Sequence, residues 1–478
     1  MLHPDRFFSA EPSQRDIARA LYALVKDLPI VSPHGHTDPA WFARNEAFPD
    51  AASLFIKPDH YIFRMLYSQG IEMERLGIAR RDGVPVETDN RKIWKLFADH
   101  WHLFRGTPSS IWFSHALETV FGVTETFSSK NADAIFDTIN SELATPEFRP
   151  RALFERFNIE VIATTESPID ALNHHQALAT DPWQTAGLKT GERKGLPRVV
   201  TAYRPDPVVD PEFEGFAQNL FRLGELTGED TQHYHGYIRA LETRRAFFKK
   251  LGATSTDHGH PNAETYDLTD IEAAALYDRA LEGELDDDEC DLFRGHMLVE
   301  MARMSCEDGL VMQLHPGSYR NHNEKVFDSF GRDKGADIPR RTDYVHSLKP
   351  LLNRFGNSKS FSMIVFTLDE TSYTRELAPL AGHYPALKLG PAWWFHDSIE
   401  GMLRFRHSTT ETAGFYNTVG FNDDTRAFLS IPARHDLARR IDCRYLAQLV
   451  AERRLSDDDA AEVAVDLAYR LAKAAYKL

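Results

Sequence analysis

The sequence predicts an α/β fold: a (β/α)8 barrel of the TIM type, with a helical insertion after its first strand. Two observations carry this. Eight short apolar runs alternate with amphipathic stretches, the pattern of parallel strands joined by crossover helices. More than a hundred residues separate the first run from the second, and apolar residues recur there every three or four positions.

The eight runs, in order, are LPIVSPH (28–34), IEVIATT (159–165), PRVVTAY (197–203), LGATSTD (251–257), GLVMQLH (309–315), SMIVFTL (362–368), ALKLGP (386–391) and YNTVGFN (416–422). Eight strands, each followed by a helix, close a barrel. The fourth and seventh runs are the weakest in composition. Between the first and second runs, YIFRMLYSQG, RKIWKLFADHWHLF, SSIWFSHALETVFG and ADAIFDTINSELA carry the helical period. One crossover helix needs far fewer residues, so this stretch reads as an insertion beside the barrel. It follows strand 1, at the end where barrel enzymes place their chemistry. The chain thus divides into an N-terminal helix with strand 1 (1–39), the insertion (40–150), and the rest of the barrel with a C-terminal helix (151–478). In that last helix Ser456 with Asp459 resembles a capping box, and Val463, Leu467 and Leu471 form one stripe. The run Asp457, Asp458, Asp459 suits the positive end of the helix dipole and needs no functional role.

Composition narrows the function. Over 478 residues, 71 acidic groups outnumber 55 basic ones, a formal charge of −16. Neutralising phosphates takes clustered Lys and Arg, so neither nucleic acid nor an anionic membrane is an expected partner. A hydrophobic fraction of 42% supports a large core. No apolar run approaches the ~18 residues of a membrane helix, and the N-terminus has no secretory h-region. Three cysteines make no disulfide framework. The expectation is a cytoplasmic enzyme, of a size compatible with a homo-oligomer.

The sharpest chemical feature is PHGH, with His34 and His36 closing strand 1. Residues i and i+2 of a strand share a side, so two imidazoles converge at the barrel mouth, which suits a divalent metal. His315 ends the fifth run in the same way, and Asp423 and Asp424 follow the eighth. The C-terminal ends of strands 1, 5 and 8 meet on one face, so His34, His36, His315 and an aspartate form a reasonable ligand set. A second HxH stands at His258 and His260. Arg204 follows strand 3, and Arg426 lies two residues beyond Asp424. Guanidinium forks bind carboxylates, so the pair points to an anionic organic substrate. Trp393 and Trp394 after strand 7 suit the face of a sugar. His60 and Tyr61 open a helix of the insertion, and either is able to carry a proton.

Over nearly its whole length the chain resembles the uronate isomerase (glucuronate isomerase) family of the amidohydrolase superfamily. The resemblance rests on SPHGH (32–36), KPDHYIFR (57–64), YRPD (203–206), STDHG (255–259), VMQLHPGSYRN (311–321), LGPAWWF (389–395) and DTRAFLS (424–430). It implies a distorted (β/α)8 barrel. It also implies interconversion of D-glucuronate with D-fructuronate, and of D-galacturonate with D-tagaturonate. Carried onto this chain, His34 and His36 are similar to metal ligands, and Asp424 to the aspartate after strand 8, with His315 close by. His60 and Tyr61 correspond to substrate and proton-transfer residues, Arg204 and Arg426 to a clamp on the substrate carboxylate, and Trp393 to a substrate-lining residue. The chain departs from the common amidohydrolase pattern. TLDETS after strand 6 lacks a histidine, and strand 4 offers no bridging lysine, so one divalent metal is expected, zinc first. The alternative on the same barrel is a metal-dependent amidohydrolase acting on an anionic substrate.

Overall fold

Seven of the eight expected runs form strands, and these pair in one parallel sheet in chain order. The computed structural model describes residues 2–186 and 197–478. Its strands are β1 (Ile30–Ser32), β2 (Ile159–Glu166), β3 (Val199–Tyr203), β4 (Ser255–His258), β5 (Val311–Leu314), β6 (Ser318–Tyr319), β7 (Ile338–Pro339), β8 (Met363–Val365) and β9 (Leu387–Leu389). The main sheet runs β1-β2-β3-β4-β5-β8-β9, while β6 and β7 form a separate antiparallel ladder.

Two of the expected runs are corrected. The fourth begins as a turn, with Gly252 at φ 98°, so its strand starts only at Ser255. The eighth forms no strand: residue 418 makes one isolated bridge to Leu389. Gly420 at φ 76° breaks the extended path. A Cβ there would stand 2.7 Å from the Leu467 carbonyl oxygen, which leaves the turn to glycine. On the far side, the His36 N–H donates to the Thr425 carbonyl at 3.0 Å. One bridge and one hydrogen bond thus stand where an eighth ladder would close the ring, and this is the distortion.

Alternation along β5 orients the interior. Met312 and Leu314 pack outward among the helices, while Val311 joins an inner cluster with Ile364, Phe366 and Val419. Gln313 and His315 therefore also face inward, at rising height. The lower interior is apolar: Val31, Val161, Ala163 and Val200 meet Ala472 of the last helix, Leu471–Tyr476. That helix follows Asp457–Val465 and a π-helical turn, Asp466–Arg470. Ser456 caps the start as expected, accepting the Asp459 N–H at 3.1 Å. Tyr476, fully buried, donates to Gln313 Oε1 at 2.8 Å and accepts from Asn422. The C-terminus therefore stoppers the barrel beneath its mouth.

The insertion is helical, with the helices His60–Tyr67, Asn90–Asp99, Pro108–Thr119 and Ala132–Leu143 among others. Its aromatic centre (Trp94, Phe97, Phe113, Phe127) is continuous with Ile30, Ile159 and Val199 of the sheet. The insertion thus leans on the barrel through a shared core. Among the described residues no helix is long and apolar enough to cross a membrane.

Candidate active site

The nine residues to which the resemblance gives roles line one cavity of about 690 Å3 at the C-terminal end of the strands. His34 and His36 follow β1, Arg204 follows β3, His315 follows β5, and Trp393 lies beyond β9. Asp424 and Arg426 come from the segment after the incomplete eighth strand. His60 and Tyr61 reach the cavity from the insertion, where the Asp59 carboxylate accepts the Tyr61 N–H at 2.8 Å and starts their helix at this point.

The centre is a histidine–aspartate cluster. Asp424 Oδ1 lies 3.4 Å from His34 Nε2 and 3.1 Å from His36 Nε2. His34 also stacks on His315, ring centres 4.7 Å apart. His315 Nδ1 lies 2.7 Å from Asp257 Oδ1. A carboxylate only accepts, so Nδ1 carries the proton, and the lone pair sits on a buried Nε2 that has no protein partner. The other Asp257 oxygen accepts from Arg204 at 2.9 Å, and Arg204 also donates to Asp206 at 2.8 Å. Gly259 permits that tuck, since a Cβ there would meet Arg204 Nη2 at 2.2 Å. The sixth strand supplies no ligand: Phe366 beyond it stacks on His315 at 3.9 Å.

These groups fit a metal. Ligand atoms of a tetrahedral ion with bonds of ~2.1 Å lie ~3.4 Å apart, close to the His34, His36 and Asp424 spacings. Among the described residues two groups have donor atoms within 4.8 Å of one another: His34 with His36 and Asp424, and His34 with Asp257 and His315. The expected set of four therefore divides into two sets that share His34. A histidine that gives one N–H to a carboxylate and keeps the other nitrogen free is the usual form of a supported ligand.

Electrostatics separates the roles. Burial disfavours the charged forms throughout, and local charges decide the outcome. For His34 the Asp424 and Asp257 carboxylates outweigh burial and lift its pKa, whereas for His36 burial prevails and lowers it. Asp424 is held well below the carboxylate range by these two histidines, despite its burial. Burial, then Arg426, pushes His60 down to about 3, so it is neutral at physiological pH. Burial raises Tyr61, which keeps its proton.

Several placements refine or overturn the sequence reading. Asp423, adjacent to Asp424, faces away and meets His435 Nε2 at 3.0 Å. His258 and His260 are no second metal pair. Because Asp257 faces the interior, His258 faces the helices, where its Nε2 pairs with Thr256 at 3.0 Å. Arg204 is already paired with two carboxylates, while among the described residues Arg426 forms one ion pair, with Asp333 at 2.9 Å. Three residues of the site were not foreseen, Arg320 and Glu166 on the cavity wall and Asp257 buried behind it. Asp257 lies within STDHG, and Arg320 within the quoted PGSYRN, ion-paired to Asp337 at 3.2 Å. Glu166 ends β2, accepts from Thr201, and is pushed by burial up to about 8.

Comparison with known proteins agrees with this geometry. The profile of the glucuronate isomerase family matches residues 7–476. A uronate isomerase of Phenylobacterium zucineum is 63% identical over 477 residues, covering 100% of this chain and 97% of the relative. The crystal structure of a glucuronate isomerase from Caulobacter crescentus superposes with a TM-score of 0.96 at 57% identity, over 100% and 97% of the two chains. A uronate isomerase from Thermotoga maritima gives 0.89 at 26%, over 100% and 99%.

Proposed function

The chain belongs to the glucuronate isomerase family, and from that premise we propose how its cavity performs the reaction. It is an enzyme that interconverts aldose and ketose forms of uronates. The proposed substrates are D-glucuronate and D-galacturonate, and the products D-fructuronate and D-tagaturonate. The proposed course is a cis-enediol: a proton leaves C2 and one arrives at C1, while a hydrogen moves from O2 to O1. No electron acceptor is needed.

The observation that carries this reading is the convergence in one cavity of His34, His36 and Asp424 with His60, Tyr61, Arg204 and Arg426. Asp424, ionised in its histidine cradle, moves hydroxyl protons during ring opening. Of the pair stacked at 4.6 Å, neutral His60 is the acceptor for the proton leaving C2, and Tyr61, which holds its own proton, is the donor to C1. Arg426 takes the C6 carboxylate with its freer fork, and Arg204 lends its remaining N–H groups, which orients the sugar. Trp393, edge-on to His315 at 4.7 Å, walls the substrate. His34, His36 and Asp424, with His315 beside them, would hold a single divalent metal, zinc by the character of the donors, which would supply Lewis acidity toward a developing enediolate oxygen.

Incubation with each uronate, with and without a chelator, followed by ketose detection, tests the proposal. Ketose is expected, and the chelator should suppress it. No ketose from either sugar would refute the assignment of substrates, and undiminished turnover in chelator the assignment of the metal.

A further inference from the structure

Beside the substrate cavity lies a second one of about 100 Å3, between the insertion and the barrel. Tyr61 and Trp394 line both and form the partition between them. Arg64, Thr107, Ser109, Trp112 and Asp397 supply the rest of its polar wall, and Met65, Phe104, Pro108 and Phe395 its apolar side. Four buried atoms of these side chains have no hydrogen-bond partner among the described protein groups: Arg64 Nε, Trp112 Nε1, Trp394 Nε1 and Asp397 Oδ1. Three are donors and one is a carboxylate oxygen. Buried polar groups are rarely left bare. An apolar void stays dry, but a polar one holds water when each molecule finds two to four partners and ~30 Å3. At about 100 Å3 the cell has room for about three molecules, and the four bare atoms belong to residues of its wall.

The opposite oxygen of Asp397 accepts from Arg434. The Arg434 guanidinium carbon lies over Trp112, 3.5 Å from the ring centre, and 5.8 Å from that of Tyr61. The acid, its counter-ion and the partition tyrosine are thus one packed unit.

We propose that this cell is a built water site, and that its waters form a route of proton exchange between the Tyr61 hydroxyl and Asp397, separate from the substrate cavity. The inference rests on the reading of Tyr61 as the proton donor to C1. Each event exchanges one proton of the hydroxyl for one from the waters, so charge and composition are unchanged and no electrons move. Burial, opposed by Arg434 and assisted by Asp423 and Asp424, pushes the Asp397 carboxyl up to about 7, so both of its forms are accessible. The cell thus offers the Tyr61 hydroxyl a pool of exchangeable hydrogen that does not pass through the substrate cavity.

The test is isomerisation of unlabelled D-glucuronate in D2O to low conversion, with deuterium at C1 of the ketose read by mass spectrometry. The wild-type enzyme should incorporate solvent deuterium. Ser109→Leu, which fills the cell from a position outside the substrate cavity, should lower that incorporation at least threefold while keeping turnover within tenfold. Asp397→Asn, which preserves the shape and removes the acid, should do the same. It deprives Arg434 of its carboxylate partner, so Ser109→Leu decides if that variant does not fold. Unchanged incorporation in folded Ser109→Leu, or none in the wild type, overturns the route. Tyr61→Phe separates the two readings. If it is inactive while Ser109→Leu exchanges normally, only the route fails. If it turns over normally, the assignment of Tyr61 fails first.

Discussion

Asp424 sits at φ 38°, in the left-handed region. Such backbone costs a non-glycine residue of the order of 1 kcal/mol and persists where the surroundings enforce it, often at functional sites. Here it turns the carboxylate onto His34 and His36, while Asp423 before it turns toward His435. Asp424→Asn keeps the shape and removes both the charge and the proton acceptor. Its turnover should fall by at least ~10²-fold, with an unchanged circular dichroism spectrum; near-normal turnover would refute the role. Glu166 offers a test of sign. Its carboxyl ionises at about 8 in the fold against an ordinary 4.5. Below pH 4.5 it is protonated in the folded and unfolded chains alike and costs nothing. As pH rises from 4.5 to 8 only the unfolded chain releases the proton, so stability is lost by at most about 1.4 kcal/mol per pH unit. Glu166→Gln should therefore melt with the wild type near pH 4.5 and progressively above it toward pH 8. Equal melting at both ends would refute the shift. The histidines of PHGH were legible because period-2 geometry places them together without further knowledge. Asp257 was not, because in STDHG the eye falls on His258, and a one-residue difference in register decides which of the two faces inward. Arg434 and Asp397 left no pattern at all, since their pairing joins a helix interior to a turn 37 residues away.

At the scale of elements, strands betray themselves where both faces are buried, because a continuous apolar run has few other homes. Hence β3, β5 and β8 stand inside the runs that predict them, β2 runs one residue past its own, and the helices of the insertion follow their apolar period. The eighth run misled for the converse reason. YNTVGFN has β-forming residues, yet Gly420 takes a conformation that no strand contains, and tertiary contact with Leu467 fixes it there. The C-terminal stopper was legible as a helix by its cap and stripe, but its destination was not. Tyr476 reaches Gln313 across 163 residues of chain, a pairing that no local period encodes. Tyr476→Phe keeps the packing and leaves Gln313 and Asn422 short of a buried partner. That should cost about 1–3 kcal/mol, read as a lower denaturation midpoint with KM unaltered. A variant as stable as the wild type would show that the hydroxyl is idle.

At the scale of the molecule, the ring has a seam. Seven strands form a continuous ladder, but among the described residues the loop after the incomplete eighth strand joins the end of β1 by one backbone hydrogen bond, from His36 to Thr425. The candidate ligands straddle this seam: His34 and His36 stand on the first strand's side and Asp424 on the last segment's. An ion held by all three would join chain positions nearly 390 residues apart, where backbone pairing is weakest. Because it would bind the folded ring and not the unfolded chain, it would stabilise by about 2.7 kcal/mol at a hundred times its dissociation constant. The metal would then be a clasp as well as a catalyst, and the two roles can be separated. Chelation should lower the melting temperature of the wild type, and zinc should restore it. His36→Asn should respond less to both treatments, because it has lost one arm of the clasp. Arg426→Met, which touches the same cavity but offers no ligand, should keep the full response while its KM for the uronate rises. If chelation leaves the wild-type melting temperature unchanged, the seam is held by protein contacts alone, and the histidine–aspartate cluster is not a clasp.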